Sequence, residues 1–141
     1  MPPETIFNAA HQTSAVDIWA IGVIMLSFLM KRHPIISLNN TSKVKNFTIA
    51  NLIPLALIFG AKEIKMIAHE HGYGILMPEE FPKERLGWRT LITDKEVSDE
   101  AIDLLDQMLC LDADKRISPD EAVAHPYFDS VRAEYEESMT D

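Results

Sequence analysis

The chain has 141 residues with 22 acidic and 13 basic side chains, so its formal net charge at pH 7 is −9. Because phosphates are bound by clustered lysines and arginines, this balance argues against a general nucleic-acid binder and against a protein that binds anionic membranes. Hydrophobic residues make up 47% of the sequence, too many for a disordered chain, and the single cysteine, Cys110, cannot form an internal disulfide, so we expect a folded intracellular domain.

The first long helix is predicted to begin near Ser14. Ser14 is a candidate N-cap, and Asp17, three residues later, is the acidic partner of a capping box. Apolar residues lie on nearly every face of the stretch from Trp19 to Met30, which is typical of a helix enclosed by protein. The segment from Lys31 to Pro34 ends the helix, because its cations suit the negative end of the helix dipole and proline stops propagation.

A polar loop at Asn39 to Ser42 precedes two further helical stretches. The first runs from Lys45 to Phe59 and ends at Gly60, and Pro54 either kinks it or opens a second helix. The next is amphipathic and runs from Lys62 to His71, with Gly72 past its end. Its apolar face carries Ile64, Ile67 and Ala68.

Two apolar stretches, Ile18 to Met30 and Ile49 to Ala61, resemble membrane spans in composition. Both are shorter than the roughly 20 residues that a helix needs to cross a bilayer. We therefore expect two core helices and no membrane partner.

A long irregular connection is predicted from Gly72 to Val97, where prolines, glycines and charges dominate. Ser98 then caps a helix whose apolar stripe has helical spacing and consists of Ala101, Leu104, Leu105, Met108 and Leu109.

The last predicted helix has the strongest start signal in the chain. Ser118 is its cap, Pro119 its first helical residue and Glu121 its capping-box acid. His125-Pro126 closes it, and the acidic tail from Asp129 to Asp141 reads as a frayed helix. Since no convincing strand is found, the predicted fold class is mainly α.

Four segments together resemble the second half of the large lobe of a eukaryotic protein kinase. In chain order they are Pro2-Pro3-Glu4, Asp17 to Ile24, Leu111 to Ser118 and His125 to Phe128. The first is similar to the Ala-Pro-Glu motif that closes the activation segment. The resemblance implies the helical C-terminal lobe of the protein-kinase fold, incomplete because the N-terminal lobe and the catalytic loop are missing. Residues 1–128 would be the partial kinase domain and residues 129–141 the acidic tail.

The resemblance assigns structural roles to six residues. Glu4, which follows Pro3, resembles the glutamate that pairs with an arginine before the last helix, here Arg116, and so anchors the activation segment. Removing one partner of such a buried pair costs about 3–5 kcal/mol. From the residues alone, Arg116 is equally explained as a solvated side chain, whose ion pairs are worth about 0–1 kcal/mol.

The other three residues lie on the first long helix. Asp17 resembles the aspartate that accepts backbone hydrogen bonds from the catalytic loop, which orients that loop without taking part in the chemistry. Trp19 matches a ring that fills the core, and Gly22 a small residue that permits close helix approach. The capping box remains the alternative explanation of Asp17.

Other side chains with chemical potential are expected to be structural. His69 and His71 do not face each other at i, i+2 on a helix, so we expect no zinc site. Cys110 reads as a buried core thiol with no activating cation beside it in sequence. A solvated surface is expected for the loop carboxylates Glu79, Glu80 and Glu84.

The chemistry of a kinase depends on motifs that this sequence does not contain. These are the glycine-rich loop, the strand lysine, the catalytic-loop aspartate and asparagine, and the Asp-Phe-Gly aspartate that binds magnesium. In the family's order all of them precede Pro2. No catalytic, cofactor-binding or metal-binding residue is therefore assigned here, and the isolated chain is expected to be inactive, with ATP and magnesium bound by the complete kinase only.

The middle of the chain is similar to the cell division control protein seven family, which fires replication origins. The matching segments are Ile58 to Ile64, Ala68 to Gly72 and Val16 to Leu29. Casein kinase two is the next nearest family, on Trp88, Ser98 to Leu109 and Ala124 to Phe128.

The origin-firing resemblance implies a nuclear serine/threonine kinase with protein substrates and a regulatory activator subunit. Two departures from the family pattern are the short Pro78 to Val97 connection, where relatives often carry a long insert, and Pro2 in place of alanine. The first departure bears on how the regulatory subunit would bind.

Two classes of function stay open at this point. In the first, the chain is the C-terminal part of an active kinase whose upstream half was lost, either by truncation or by a gene model that starts at an internal methionine, Met1. The other is a helical interaction module or relic that binds a kinase partner without catalysis. An orphaned half-lobe would expose apolar surface, whereas a module should unfold cooperatively.

Overall fold

The computed structural model describes residues 1–10, 13–31 and 47–140. These residues are mainly helical and contain no strand, which confirms the predicted fold class. None of the helices among them is long and apolar enough to cross a membrane. The helices are α1 (Pro3–Ile6), α2 (Ala15–Leu29), α3 (Phe47–Glu70), α4 (Trp88–Leu91), α5 (Asp99–Met108), α6 (Pro119–Val123) and α7 (Asp129–Thr140), with a 3₁₀ turn at Pro126–Phe128.

The core lies between α2, α3 and α5 and has aromatic rings at its centre. The ring centroids of Trp19 on α2 and Phe59 on α3 are 6.1 Å apart, and Trp88 meets Phe59 edge-on at 6.0 Å. The members of the predicted apolar faces of α3 and α5 are almost completely buried: Ile64, Ile67, Ala68, Ala101, Leu104, Leu105, Met108 and Leu109. Leu105 and Leu109 lie in this core with the three residues of α3, whereas Leu104 and Met108 lie in a second cluster with Ile18, Ile117 and Ala122.

Helix α3 is broken at Gly60, as the sequence predicts. Gly60 has φ 80° and ψ 154°, whereas Pro54 lies inside the helical stretch before it. The amides that the break frees are not left unpaired, because Ala61 donates to the carbonyl of Pro82 at 2.7 Å and Lys62 to that of Lys83 at 3.1 Å. The amides at the break thus link the connection that follows Gly72 to the middle of α3 by hydrogen bonds.

Helices α2 and α5 approach closely at Gly22. A Cβ atom at this position would lie 2.9 Å from Leu109 Cδ2 and 3.0 Å from Met108 Cβ, both closer than ordinary carbon contacts. The predicted role of Gly22 in close helix approach therefore has a specific partner surface, the C-terminal end of α5.

Substituting Gly22→Ala should lower the free energy of unfolding by up to about 2 kcal/mol. The clash with α5 costs about 1–3 kcal/mol, and the better helix propensity of alanine returns about 1 kcal/mol of it. Urea unfolding followed by circular dichroism measures the difference. A higher stability would show that α5 yields to the added methyl group.

Three predicted helix boundaries are confirmed. The Ser98 side chain accepts a hydrogen bond from the Ala101 amide at 3.2 Å at the start of α5. The Ser118 hydroxyl accepts from the Glu121 amide at 3.3 Å while the Glu121 carboxylate accepts from the Ser118 amide at 2.9 Å, which completes the capping box of α6. Gly72, with φ 82°, follows the end of α3.

The capping box of α6 makes a pH-dependent contribution to stability. The Glu121 carboxylate accepts hydrogen bonds from Ser118, and these hold the pKa of Glu121 below its ordinary value of 4.5. The bond from the Ser118 side chain has the larger effect, and the bond from its backbone amide has the smaller one. Because the pKa is lower in the folded state, the stabilisation is present above pH 4.5 and is lost as the pH falls through the folded-state pKa. Glu121→Ala should therefore lower the melting temperature at neutral pH, and the deficit should narrow in acid. Glu80→Ala, an exposed loop variant, is the control, and a deficit independent of pH would contradict the assignment.

Two predictions of secondary structure are wrong. Ser14 does not cap α2, because its φ and ψ of −55° and −14° are already helical, so its side chain forms no capping bond and the Asp17 box is absent. Thr13 instead accepts a hydrogen bond from the Ala15 amide at 3.3 Å through its hydroxyl. The connection after Gly72 is not wholly irregular, since it contains α4.

The predicted end of the first helix is described only in part. Helix α2 ends at Leu29, and Lys31 closes it with a left-handed φ of 52°. The remaining predictions for this region, namely Arg32 to Pro34, the loop at Asn39 to Ser42 and the helix start at Lys45, lie outside the described residues.

Candidate functional site

The structure brings Glu4 and Arg116 together in a buried ion pair. Arg116 Nη1 lies 2.6 Å from Glu4 Oε1, and Nη2 lies 3.1 Å from Oε2, which is a two-pronged contact of guanidinium and carboxylate. Glu4 is 4% exposed and Arg116 6%. The alternative of a solvated Arg116 is therefore wrong.

Local backbone geometry places the carboxylate at this depth. Pro2 is extended, with φ −74° and ψ 158°, and buried Pro3 opens α1 at a position where its missing amide costs nothing. The carbonyl of Pro2 accepts hydrogen bonds from the amides of Thr5 and Ile6, both at 3.1 Å. Glu4 thus lies in the first turn of a short, fixed helix.

Arg116 joins three further parts of the fold. It donates to the Ala15 carbonyl at the start of α2 at 2.6 Å and to the Cys110 carbonyl after α5 at 3.0 Å. Its guanidinium carbon lies 5.0 Å from the centre of the Trp19 ring, a cation–π distance. Trp19 itself is 1% exposed, in agreement with its predicted core position. One arginine therefore holds α1, the start of α2 and the loop before α6 in a fixed arrangement.

Asp17 lies on a face of α2 that nothing in the described chain covers. Its carboxylate makes no hydrogen bond with the residues that the structure describes, and it is exposed. Ile21, Ile24 and Phe28 continue the same face at helical spacing and are 50%, 55% and 76% exposed. The prediction of a helix enclosed by protein is therefore wrong for this apolar face, which has no cover among the described residues.

A cluster of side chains around Arg85 in the connection was not predicted from the sequence. Arg85 lies against two aromatic rings, 5.1 Å from the centre of Phe59 and 5.0 Å from that of Trp88, and it forms an ion pair with Asp106 on α5. Trp88 Nε1 donates to the same aspartate at 2.5 Å. The tryptophan was the only signal, because nothing local indicates that residue 85 reaches a carboxylate 21 positions away.

The two histidines and the loop carboxylates either pack against other side chains or lie at the surface. His71 stacks on Phe7 with ring centroids 5.3 Å apart, while His69 is exposed. Within the described ranges, no three His, Cys, Asp or Glu side chains are grouped as a metal site requires. The surface prediction is confirmed for the three loop carboxylates, Glu79, Glu80 and Glu84, which are all exposed.

Cys110 is half-buried, so its prediction as a core thiol is wrong. It lies at the C-terminal end of α5, beside a cavity of about 210 Å³. Burial nevertheless raises the pKa of its thiol, which disfavours the reactive thiolate.

Comparisons with known proteins agree with this geometry. A family model described as the protein kinase domain matches residues 1–128. The chain is 30% identical over 135 residues to the probable cell division control protein 7 homolog 2 of Encephalitozoon cuniculi, an alignment that covers 92% of this chain and 36% of that protein. It is 31% identical over 157 residues to the cell cycle serine/threonine-protein kinase hsk1 of Schizosaccharomyces pombe, covering 99% and 30% respectively.

A third relative comes from outside that group. Mitogen-activated protein kinase 12 of Rattus norvegicus is 29% identical over 131 residues, which cover 92% of this chain and 33% of the relative. The chain thus spans about a third of the length of the curated relatives it matches.

Proposed function

The chain belongs to the protein kinase family, and from that premise we propose that it is the C-terminal scaffold of a serine/threonine kinase that transfers phosphoryl groups from ATP to proteins in the cell cycle. The observation that supports the proposal is the buried ion pair of Glu4 and Arg116, two residues that the family resemblance pairs. The similarity to relatives named as cell cycle kinases supports the choice of process.

The uncovered face of α2 supports a scaffold role. An apolar stripe with an unpaired carboxylate at one end is an unusual surface for a complete domain, because apolar patches of this kind are normally covered. We propose that the catalytic loop of the complete kinase lies here, with backbone amides donating to Asp17 and apolar side chains packing on Ile21, Ile24 and Phe28. Asp17 would then be a positioning residue.

The chain supplies the frame of the reaction and not its chemistry. ATP and magnesium would be bound by the complete kinase through motifs that are not among these 141 residues. No residue described above is offered as a magnesium ligand, and no three metal-binding side chains are grouped in the described part of the chain. We propose that the isolated chain is catalytically inactive.

The cellular setting follows from the same resemblance. Protein substrates, a regulatory activator subunit, a role in DNA replication initiation and nuclear localisation are proposed by similarity to the cell division control protein seven family. Neither a nucleic acid nor a membrane is proposed as a direct partner, since the chain carries a net charge of −9.

The first experiment is to sequence the transcript's 5′ end and the genomic DNA upstream of the Met1 codon. An in-frame extension that encodes the glycine-rich loop, the lysine and the two aspartate motifs would support the proposal. The encoded protein should then phosphorylate a protein substrate with Mg²⁺ and ATP. A closed upstream frame would overturn it in favour of the non-catalytic module or relic, for which a cooperative thermal transition of the 141-residue chain is expected.

Within an active complete kinase, Asp17→Asn should lower kcat by about 100-fold. The amide replaces one acceptor oxygen with a donor, so the catalytic loop loses part of its support, and displacements of about 1 Å cost roughly this factor. Steady-state kinetics with a protein substrate measure it. Leu76→Ser, at a fully exposed loop position, is the matched control, and equal kcat values for the two variants would contradict the positioning role.

A further inference from the structure

Helices α6 and α7 border an apolar groove on the protein surface. Its volume is about 430 Å³, and we call it the α6–α7 groove. Val123, Val131 and Tyr135 are 70%, 60% and 65% exposed although all three are large and apolar. The groove is lined by Val123, Phe128, Val131, Arg132, Tyr135 and Glu136.

The apolar row continues along α7. Val131, Tyr135 and Met139 are spaced four residues apart, so they lie on one side of the helix, and Met139 is 72% exposed. Eight residues of helix at 1.5 Å each make this row about 12 Å long. That length suits a partner helix that contributes side chains from about two turns.

Helix α7 is fixed to the rest of the fold and is not a loose end. The Arg132 guanidinium donates to the carbonyls of Val123 at 2.6 Å, Ala124 at 3.4 Å and His125 at 3.3 Å, and it forms an ion pair with Asp129. The carbonyls at the C-terminal end of α6 are thereby paired by the next helix. The groove between the two helices is therefore a formed surface.

The groove lies partly outside the common kinase domain. The family model ends at residue 128, whereas α7 begins at residue 129. One wall of the groove, on α7, is thus an addition of this chain to the matched domain. A function for this wall does not follow from the proposed phosphoryl transfer.

The two helices that border the groove are acidic, and Glu136 lines the groove itself. Between residues 119 and 140 the sequence has six carboxylates and one cation, Arg132, which already contacts Asp129 and three carbonyls. A second copy of this chain or an anionic membrane would bring like charges together, which is unfavourable. A cationic partner would be attracted. The carboxylates are Asp120, Glu121, Asp129, Glu134, Glu136 and Glu137.

We propose that the α6–α7 groove binds a basic amphipathic helix from a protein partner. The partner would insert apolar side chains at i, i+4 spacing between Val123 and the row on α7, and its lysines or arginines would face Glu136 and the other carboxylates of these helices. This is the helix-in-groove mode of recognition. It requires no kinase activity, so its test is independent of the proposed function.

The test measures binding of a designed peptide to the full 141-residue chain by fluorescence anisotropy. The probe is a labelled 16-residue helix with leucines at i, i+3, i+4 and i+7 and lysines elsewhere, and the comparison peptides are its scramble and a version with glutamate for lysine. The double variant Val131→Ser/Tyr135→Ser removes the apolar wall, and Leu76→Ser is the control for loss of an exposed apolar residue elsewhere. Far-UV circular dichroism checks that α7 stays helical.

We expect the probe to bind the wild-type chain and Leu76→Ser equally, and to bind the double variant at least 10-fold more weakly, because a few apolar anchors carry most of the affinity. Its affinity should fall as salt is raised, and both comparison peptides should bind weakly. Equal binding by the double variant would overturn the proposal, as would a preference for the acidic peptide. So would a dimer of the wild-type chain in analytical ultracentrifugation that the double variant abolishes, since the occupant would then be a second copy.

Discussion

Replacing Arg116 by methionine should lower the free energy of unfolding by about 3–5 kcal/mol, because the Glu4 carboxylate would remain buried without its counter-charge. The carbonyls of Ala15 and Cys110 would lose their donor in the same step. Replacing both partners, as Glu4→Met/Arg116→Met, should recover part of the loss, since an apolar pair leaves no charge stranded. Urea unfolding of the wild type, both single variants and the double variant gives the coupling free energy.

The exposed pair of Arg89 and Asp99 is the matched control for this experiment. Their side chains are 44% and 94% exposed, so Arg89→Ala should cost only about 0–1 kcal/mol. A loss for Arg116→Met no larger than that of Arg89→Ala would show that the buried pair does not anchor α1.

Replacing Gly60 by alanine should cost about 3 kcal/mol or more. Its φ of 80° and ψ of 154° lie in a region that side-chain-bearing residues avoid. The added Cβ would also lie 2.5 Å from the carbonyl carbon of Glu84, which is backbone and cannot rotate away. The connection would then have to leave α3, and the amides of Ala61 and Lys62 would lose their acceptors.

Gly72 is a comparison position that shares only the positive φ. Its φ is 82°, and a Cβ there would meet nothing within 4 Å. Gly72→Ala should therefore cost only what a positive φ costs a residue with a side chain, about 1–2 kcal/mol. Thermal unfolding of both variants measures the difference, and equal losses would mean that neither the ψ of Gly60 nor its contact with Glu84 adds to the cost.

Sequence reasoning succeeded where a local signal determines the structure. The capping box of Ser118 and Glu121, the break at Gly60 and the buried stripe of α5 each depend on residues within eight positions of one another. The prediction that Ser14 caps α2 failed for an equally local reason. Its φ and ψ are helical, whereas an N-cap residue has extended φ and ψ, and a sequence pattern does not show which of the two conformations a serine adopts.

Contacts between distant residues could not be read from the residues alone. Glu4 and Arg116 are 112 positions apart, and only the family resemblance related them to each other. No family resemblance related Arg85 to Asp106, so the cluster around Arg85 was not predicted. The face of α2 was misjudged because composition shows that a surface is apolar but not whether the same chain covers it.

The separation of Glu4 from Arg116 also determines when α1 can reach its final place during synthesis. A ribosome adding about 5–20 residues per second needs roughly 6–22 s to make the 112 residues between the two partners. Until Arg116 has emerged, burying Glu4 would strand a charge, so α1 stays in water while the helices after it are made. Helix α1 is thus translated before α2 to α5 but docks only after they have been made, and throughout that interval it is accessible to chaperones and proteases.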